Sequence, residues 1–274
     1  MSDLAIVIVN FNAQDDLDRC LRSLHAHPPS RAHEIVVVDN ASTDESAART
    51  RRDWPSVRLL ELGTNGGFAR ACNAGFRHTD SSLVLLLNSD TIVPSGELDR
   101  LVEALLSDDD CAVAGPRLID AAGQIEISWG HLIGPFNELR QKAIARLHAI
   151  GVPPVTAFVS RRAHQVRFPD WVSGACLLVR RSDAEAVGYL DERFFMYAED
   201  VDFCAALRSR GRRILFTPAA ELQHLRGRSA SAAPQATATA YRRSQLAFYA
   251  KHHPRWVPWL RAYLRMKRQL PSDS

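Results

Sequence analysis

The stretch LAIVIVN, Leu4–Asn10, sets the architecture that the following residues repeat. It is a short, continuous apolar run with several β-branched residues, and such a run is typical of a strand buried on both faces. Strands of this kind belong to parallel sheets that are covered by helices. Residues 15–27 then place apolar side chains at helical spacing, and Pro28 and Pro29 end that segment. The stretch therefore predicts the first strand and helix of an α/β unit.

The alternation of strand and helix recurs three more times. Buried strands are predicted at EIVVVDN (34–40), VRLLEL (57–62) and SLVLLLNSD (82–90), with helices between them and a last one from about Glu97 to Leu106. Four alternations predict a Rossmann-like α/β fold, in which a mostly parallel sheet is flanked by helices.

After Cys111 the alternation is lost and the predicted elements become more varied. They are a hairpin over 113–129, a helix over 136–150, a mobile loop over 152–170, a strand over 171–181, a helix from about Asp200 to Arg210, a strand over 213–218 and a flexible link over 229–240. The expected organisation is one domain over 1–228, with halves 1–115 and 116–228, and a linker with a basic amphipathic helical tail over 229–274.

Composition narrows the class of protein. The chain has 274 residues, 46% of them hydrophobic, which suits one large or two small globular domains. No run of about 18 apolar residues predicts a membrane-spanning helix, and the first residues lack the pattern of a signal peptide. The five cysteines are scattered and form no C-x-x-C pair. They favour a reducing, cytoplasmic compartment.

The basic residues are concentrated near the carboxyl terminus. Residues 222–272 contain eight arginines, two lysines and no acid, whereas the preceding chain is net acidic. Trp256, Trp259 and Tyr263 lie among these basic residues. Basic residues with interfacial aromatic rings predict contact with an anionic membrane surface, and packing on the catalytic domain or a homodimer contact are the alternatives. No nucleic-acid partner is expected.

Each of the four predicted strands is followed by polar residues. Ligands of open parallel sheets bind beyond the carboxyl ends of the strands, so agreement among four ends favours a ligand site over ordinary turns. Neither G-x-G-x-x-G nor G-x-x-x-x-G-K-[ST] is present, so a phosphate group would depend on a metal ion. The residues at the four ends are Asn10 with Asn12, Asp39 with Asn40, Asn65 with Gly66 and Gly67, and Asn88 with Asp90.

Asp90 is the candidate metal ligand, because it follows a hydrophobic strand on rigid backbone. Mg²⁺ and Mn²⁺ prefer oxygen ligands and keep waters or substrate phosphates in their remaining positions. His224 would supply a nitrogen ligand to Mn²⁺, although a lone histidine is more often structural. Arg226 and Arg228 follow it in sequence and suit either a diphosphate or a solvated loop.

The stretch FFMYAEDVDF, Phe194–Phe203, sets three acids behind a run of apolar residues. Because burying an unpaired carboxylate is costly, these acids either face water or indicate a positively charged partner or a chemical role.

With these motifs in place, the sequence resembles the family 2 glycosyltransferases of the GT-A fold, in the subgroup of the bacterial rhamnosyltransferases. The resemblance runs in family order from Ile6 to Ser229, and FFMYAEDVD is its most specific block. The matching stretches are IVIVNFN (6–12), EIVVVDNASTD (34–44), NGGFARACNAGF (65–76), LLLNSDT (85–91), WVSGACLLVRR (171–181), residues 189–218 and HLRGRS (224–229).

The resemblance implies an inverting transfer of a sugar, with rhamnose as a candidate, from a dTDP- or UDP-sugar to a hydroxyl group. The acceptor would be a glycan or a polyprenyl-linked molecule of cell-envelope polysaccharide synthesis, and the enzyme would work in the cytoplasm or at the inner face of the membrane. The resemblance also implies a nucleotide-sugar pocket in which Asp39 binds the pyrimidine base. The pocket would further include Asn10, Asn12, Asn65, Gly66, Gly67, Asn88 and Arg228.

Metal binding and catalysis are assigned by the same resemblance. Asp90 corresponds to the last acid of the D-x-D metal motif, in which Asn88 replaces the first acid, and His224 would join the metal and the diphosphate. Asp200 would be the catalytic base, with a pKa that the helix dipole is expected to lower.

The neighbours of the base receive weaker assignments. Glu199 would orient the loop or bind the acceptor, and Trp171 and Gly174 would border the donor sugar or the acceptor. Asp202 is expected to be a surface or capping acid.

Two other classes of protein compete with this interpretation. A sugar-nucleotide nucleotidyltransferase would carry a Gly-rich, basic motif after the first strand, where this chain has NFNAQDD (10–16). A non-catalytic nucleotide-sugar-binding module would be favoured by loss of Asp90 or Asp200, and both are present.

Overall fold

A computed structural model describes residues 2–225 and 234–271. The first half alternates as the sequence predicts. Its elements are β1 (Leu4–Asn10), α1 (Gln14–Ala26), β2 (His33–Asp39), α2 (Ser46–Asp53), β3 (Arg58–Glu61), α3 (Phe68–Arg77), β4 (Leu83–Asn88), β5 (Thr91–Ile92) and α4 (Glu97–Leu106).

The second half adds antiparallel strands and further helices. Its elements are β6 (Cys111–Ile119), β7 (Ile125–Glu126), β8 (Trp129–Gly130), α5 (Pro135–Ala149), α6 (Pro153–Ala163), β9 (Trp171–Val172), β10 (Cys176–Arg180), α7 (Arg181–Ala186), α8 (Glu199–Ser209), β11 (Arg213–His224), α9 (Pro234–His252), a 3-10 turn (Pro254–Trp256) and α10 (Val257–Met266).

The central sheet has the strand order β3-β2-β1-β4-β10-β6-β11-β5, and β7 pairs with β6 beside it. Strands β1 to β4 are mutually parallel. Strand β10 runs antiparallel to β4 and β6 and therefore joins the two halves of the chain into one sheet. The predicted α/β class with a mostly parallel sheet is confirmed.

Both faces of the sheet are buried, as the continuous apolar strands require. Alternate side chains of each strand point to opposite faces. Ile6 and Leu85 pack in one buried cluster with Leu17 of α1. Val7 packs in the cluster on the other face with Phe76 of α3. The helices on the two faces thus hold the strand ends in fixed positions.

Several predictions for the second half were wrong in detail. Residues 153–163 of the expected mobile loop form α6, because two prolines at the helix start are compatible with a first turn. The strand expected over 171–181 is two strands separated by Ser173, Gly174 and Ala175. The strand expected over 213–218 continues to His224.

The carboxyl-terminal helices pack on the preceding part of the chain. Phe248 of α9 and Leu264 of α10 are fully buried, in a cluster that includes Phe194 and Val201. The flexible link expected over 229–240 is wrong from Pro234 onward, where α9 begins, and its first part lies outside the described residues. The predicted domain boundary at residue 228 also falls outside them and stays a prediction.

One face of this tail is exposed. Trp259 and Met266 expose 71% and 73% of their surfaces. The tail thus packs on the preceding chain with one face and exposes aromatic and apolar side chains on another. Within the described ranges, no single helix is long and apolar enough to cross a membrane, and α5 with α6 passes that test only as a pair bent by 106°.

Candidate active site

The carboxyl ends of β1, β2 and β4 meet at one edge of the sheet. Strand β1 lies between β2 and β4, and its last residues pair Asn10 with Asp39 and Val9 with Asn88. Because the three strands are parallel, the residues that follow them face the same crevice. The predicted convergence of Asn10, Asp39 and Asn88 is therefore observed.

A hydrogen-bond network fixes the end of β2. The Asn10 side chain donates from Nδ2 to Oδ1 of Asp39 at 3.0 Å, and the Ser42 backbone N–H donates to Oδ2 of Asp39 at 2.9 Å. Asn12 accepts at Oδ1 from the Thr43 backbone N–H at 2.7 Å. These contacts bring Asn10, Asn12 and Asp39 into one rigid wall.

The loop after β3 is shaped by Asn40 and Asn65. Asn40 donates to Oδ1 of Asn65 at 2.9 Å and accepts from the Gly66 backbone N–H at 3.0 Å. Gly67 has φ of 87°, and a Cβ there would lie 2.3 Å from the carbonyl oxygen of Phe195. The glycine is thus required by the approach of the Phe195 backbone, whereas the sequence interpretation attributed it to the nucleotide.

The segment before the antiparallel strand β10 contacts the catalytic candidate, Asp200, which lies in the first turn of α8. The Asn88 backbone N–H donates to the Ala175 carbonyl at 2.9 Å, so the Ser-Gly-Ala segment lies beside the end of β4. The Gly174 backbone N–H donates to Oδ2 of Asp200 at 2.9 Å. Gly174 therefore holds the Asp200 carboxylate next to the metal-motif residues.

Burial dominates the electrostatics of the two acids at the start of α8. It raises the pKa of Asp200 even though the backbone N–H groups of Gly174 and Val201 oppose that rise. The predicted lowering of this pKa by the helix dipole was therefore wrong, because desolvation outweighs it. Burial, together with the charge of Asp200, raises the pKa of Glu199 well above its ordinary value. A raised pKa strengthens Asp200 as a base.

His224 bridges two acids at the edge of the site. Its Nε2 lies 3.1 Å from Oδ1 of Asp90, and its Nδ1 lies 3.0 Å from Oε2 of Glu126. Pairing of β11 with β5 sets His224 opposite Thr91 and so brings it to Asp90. Burial opposes the positive charge, but the hydrogen bonds to Asp90 and Glu126 outweigh it and raise the pKa of His224 to about 9.

The sequence interpretation missed Glu126. Pairing of β7 with β6 turns this side chain inward, where it is 6% exposed. The alternation of Ile125, Glu126 and Ile127 was the available signal, since it sets the acid on the opposite face from two apolar residues.

The residues at this edge fit a divalent cation with few protein ligands. Asp90 and His224 converge, and Glu126 on Nδ1 would fix the ring tautomer that presents Nε2 to an ion. Mg²⁺ and Mn²⁺ need only one or two protein ligands when phosphates complete the shell. Among the residues that the structure describes, no group of three or more His, Cys, Asp or Glu side chains is arranged to hold a metal alone.

Asp202 was expected at the surface, and that prediction was wrong. It is 2% exposed and accepts hydrogen bonds from Lys251 at 2.8 Å and from His252 at 2.6 Å. Both partners lie on α9, about 50 residues further along the chain, a contact that local sequence does not reveal.

Arg228, the expected diphosphate ligand, lies outside the described residues.

Trp171 lies at the other side of the site. Its Nε1 donates to the His131 carbonyl at 2.9 Å, and its ring packs against buried residues.

The fold and this edge of the sheet define a nucleotide-sugar-dependent transferase of the GT-A type. Residues 5–168 match the model of the family described as "Glycosyl transferase family 2". The chain belongs to glycosyltransferase family 2, and it is a glycosyltransferase.

Curated relatives support the family over nearly the whole chain. One is N-acetylglucosaminyl-diphospho-decaprenol L-rhamnosyltransferase of Mycobacterium tuberculosis, which is 31% identical, with 99% of this chain and 93% of the relative covered. Rhamnosyltransferase WbbL of Escherichia coli is 25% identical, with 80% and 82% covered.

Solved structures agree on the fold. A mannosyltransferase from Pyrobaculum calidifontis, in complex with GDP-Man and Mn²⁺, superposes with a TM-score of 0.61 at 18% identity, with 96% of this chain and 69% of that chain covered. GalNAc-T7 with UDP, GalNAc and Mn²⁺ gives 0.63 at 16% identity, with 91% and 50% covered. The predicted GT-A fold is confirmed.

Proposed function

We propose that the protein is an inverting, metal-dependent glycosyltransferase that moves a sugar from a nucleoside-diphosphate sugar to a hydroxyl of a lipid-linked glycan. The observation that carries this proposal is the contact from Gly174 to Asp200, which sets a carboxylate of raised pKa beside the strand end that bears Asn88 and Asp90. A base and a metal site at one edge are what a direct displacement needs.

In the proposed reaction, Asp200 takes the proton of the acceptor hydroxyl as its oxygen attacks the anomeric carbon. The bond from that carbon to the diphosphate oxygen breaks on the opposite face, so the configuration inverts and a nucleoside diphosphate leaves. Asp90 and His224 would hold Mg²⁺ or Mn²⁺, which supplies charge stabilisation to the departing diphosphate when bound. Burial, together with the charge of Asp200, raises the pKa of Glu199 and so favours its neutral form beside the base.

The nucleotide is proposed to lie across the ends of β1, β2 and β4. Asp39 would accept a hydrogen bond from the pyrimidine ring, and the walls would come from Asn10, Asn12 and the loop of Asn65, Gly66 and Gly67. Both Asp39 oxygens already accept one hydrogen bond each, and a carboxylate oxygen can accept a second. Arg228 stays a proposed diphosphate ligand.

The acceptor and location are proposed from the relatives and the exposed tail. The mycobacterial relative is named for a decaprenol-linked acceptor and for rhamnose, so dTDP-rhamnose or a UDP-sugar and a polyprenyl diphosphate glycan are the first candidates. Basic α10 with exposed Trp259 suits the anionic inner face of a membrane. This location brings the enzyme to its acceptor.

A donor screen tests the proposal. The full chain is incubated with dTDP-rhamnose and UDP-sugars, with Mg²⁺, Mn²⁺ or excess EDTA, and its melting temperature and nucleoside diphosphate release are measured. A cognate donor should raise the melting temperature only with metal, because it binds the native state. Equal activity in EDTA would contradict the metal assignment to Asp90 and His224. With a hydroxyl acceptor added, a product that keeps the anomeric configuration of the donor, as measured by NMR, would contradict inversion.

A further inference from the structure

Helices α5 and α6 form a hairpin that exposes several large apolar side chains. Helix α5 contains no buried residue. Phe136, Leu139 and Ile150 expose 77%, 70% and 69% of their surfaces. Contiguous exposed apolar side chains mark contact sites for membranes, ligands or proteins. The hairpin is inserted in the chain between β8 and β9.

A groove of about 110 Å³ runs between this hairpin and β8. Its apolar wall includes Trp129, Ile144 and Phe158. Three arginines, Arg140, Arg162 and Arg167, also line it, and no acid does. The groove thus combines an apolar surface with concentrated positive charge.

The arginines are not neutralised by nearby acids. Within the described part of the chain, none of the three has a carboxylate within 4.0 Å. The Arg162 guanidinium lies over the Phe158 ring, 4.9 Å from its centroid. Burial, and then the neighbouring charge of Arg162, lowers the pKa of Arg167, as expected where like charges are crowded. Such a group favours an anion, and guanidinium binds phosphate oxygens in bidentate fashion.

The groove is connected to the proposed base by a short segment of chain. Gly130, in the groove wall, pairs with Trp171, and a Cβ on Gly130 would lie 2.8 Å from the Trp171 ring. Gly174, whose backbone N–H donates to Asp200, is three residues beyond Trp171 in the sequence. The pairing of β8 with β9 therefore links the wall of the groove to the segment that contacts Asp200.

We propose that the groove between α5, α6 and β8 binds the isoprenoid diphosphate part of the acceptor, with Arg140 and Arg162 on the diphosphate and Phe158 and Ile144 on the first isoprene units. This rests on the proposed function only in taking the acceptor to be lipid-linked. It adds a binding site, outside the nucleotide crevice, that selects acceptors by their lipid diphosphate.

Farnesyl diphosphate is a soluble probe of this site. Its binding to the full chain is measured by isothermal titration without divalent cations, so that the probe is not drawn to Asp90 and His224. Farnesol and inorganic pyrophosphate are titrated alongside. Farnesyl diphosphate should bind more tightly than farnesol or pyrophosphate, because the apolar wall and the arginines each contribute to its binding.

Two substitutions with matched controls locate the binding. Arg162→Gln and Arg140→Gln should each weaken farnesyl diphosphate binding by about 10-fold or more, the usual effect of one charge-assisted hydrogen bond. Arg161→Gln and Arg146→Gln remove the same charge from exposed positions of the same helices outside the groove. These controls should bind the probe like the wild type.

Several outcomes would overturn the site. The first three are no binding of the probe, equal binding of pyrophosphate, and equal losses of probe binding in the control variants. The fourth is that Arg162→Gln and Arg140→Gln bind farnesyl diphosphate normally but no longer bind phosphatidylglycerol vesicles. The last result would assign the arginines to the bilayer surface. Donor-induced thermal stabilisation, measured in every variant, separates the two proposals. If a nucleotide sugar stabilises the protein but the probe does not bind, the groove proposal alone is refuted. If the probe binds but no donor binds and no sugar is transferred, the proposed function alone is refuted.

Discussion

Replacing Asp200 by asparagine tests the assignment of the base with little change in shape. The carboxylate accepts from Gly174 at 2.9 Å and from Val201 at 2.8 Å, one backbone N–H at each oxygen. Asparagine keeps one of these oxygens, so one backbone donor loses its acceptor, at a cost of about 1–3 kcal/mol. A domain with an ordinary stability of about 5–15 kcal/mol remains folded after such a loss.

Turnover should fall far more than stability. Loss of a general base costs roughly 10²–10⁴-fold, because the acceptor oxygen then keeps its proton during attack. Donor binding, read from the thermal shift with metal, should be unchanged. In the wild type, turnover should fall toward acidic pH, through a pKa above the ordinary aspartate value of 3.8, because burial raises it and protonated Asp200 accepts no proton.

Glu199→Gln is the matched control. Burial, together with the charge of Asp200, raises the pKa of Glu199 and favours its neutral carboxyl, whose shape and charge glutamine reproduces. Turnover should therefore change by less than about 10-fold, or about 1.4 kcal/mol. Near-normal turnover of Asp200→Asn, or equal losses in the two variants, would refute the reasoning.

Three further predictions concern the histidine of the proposed metal site, a buried acid and the carboxyl-terminal tail. His224 has a pKa raised from 6.5 to about 9, so its contribution to the stability of the metal-free protein should be complete below pH 6.5 and lost as the pH rises through 9. Urea unfolding across this range should show that loss, and the loss should be smaller in Glu126→Gln. Identical pH profiles in the two proteins would contradict the contact between His224 and Glu126. Asp202→Asn should lower the free energy of unfolding by about 1–3 kcal/mol, because Lys251 and His252 lose a buried charged acceptor; an unchanged denaturant midpoint would contradict this. Trp259→Ser should reduce salt-sensitive co-sedimentation with anionic vesicles at constant melting temperature, and unchanged vesicle binding would exclude that face of the tail as the membrane contact.

The first half of the fold was predictable because its signals are local. Runs such as Leu4–Asn10 and 82–90 bury both faces of a strand, and each is followed by a helix of clear periodicity. The convergence of Asn10, Asp39 and Asn88 then follows from parallel topology alone, since adjacent parallel strands end at the same edge.

The remainder depends on contacts between distant residues. Strand β10 enters the sheet antiparallel, and this pairing brings Ala175 to Asn88. The adjacent Gly174 then contacts Asp200. No local pattern near Asp202 reveals that α9 will cover it with Lys251 and His252. The pKa of Asp200 illustrates the same limit, because the helix dipole is visible in sequence whereas burial appears only after packing.

The central claim is glycosyl transfer, and product analysis tests it most directly. The full chain is incubated with dTDP-rhamnose or a UDP-sugar, Mn²⁺ and a polyprenyl diphosphate N-acetylglucosamine acceptor, and mass spectrometry follows acceptor and nucleotide together. The account predicts an acceptor heavier by one sugar and an equal amount of nucleoside diphosphate, both abolished with Asp200→Asn. Pyrophosphate release from a nucleoside triphosphate and a sugar 1-phosphate, with the acceptor unchanged, would contradict it and identify a nucleotidyltransferase.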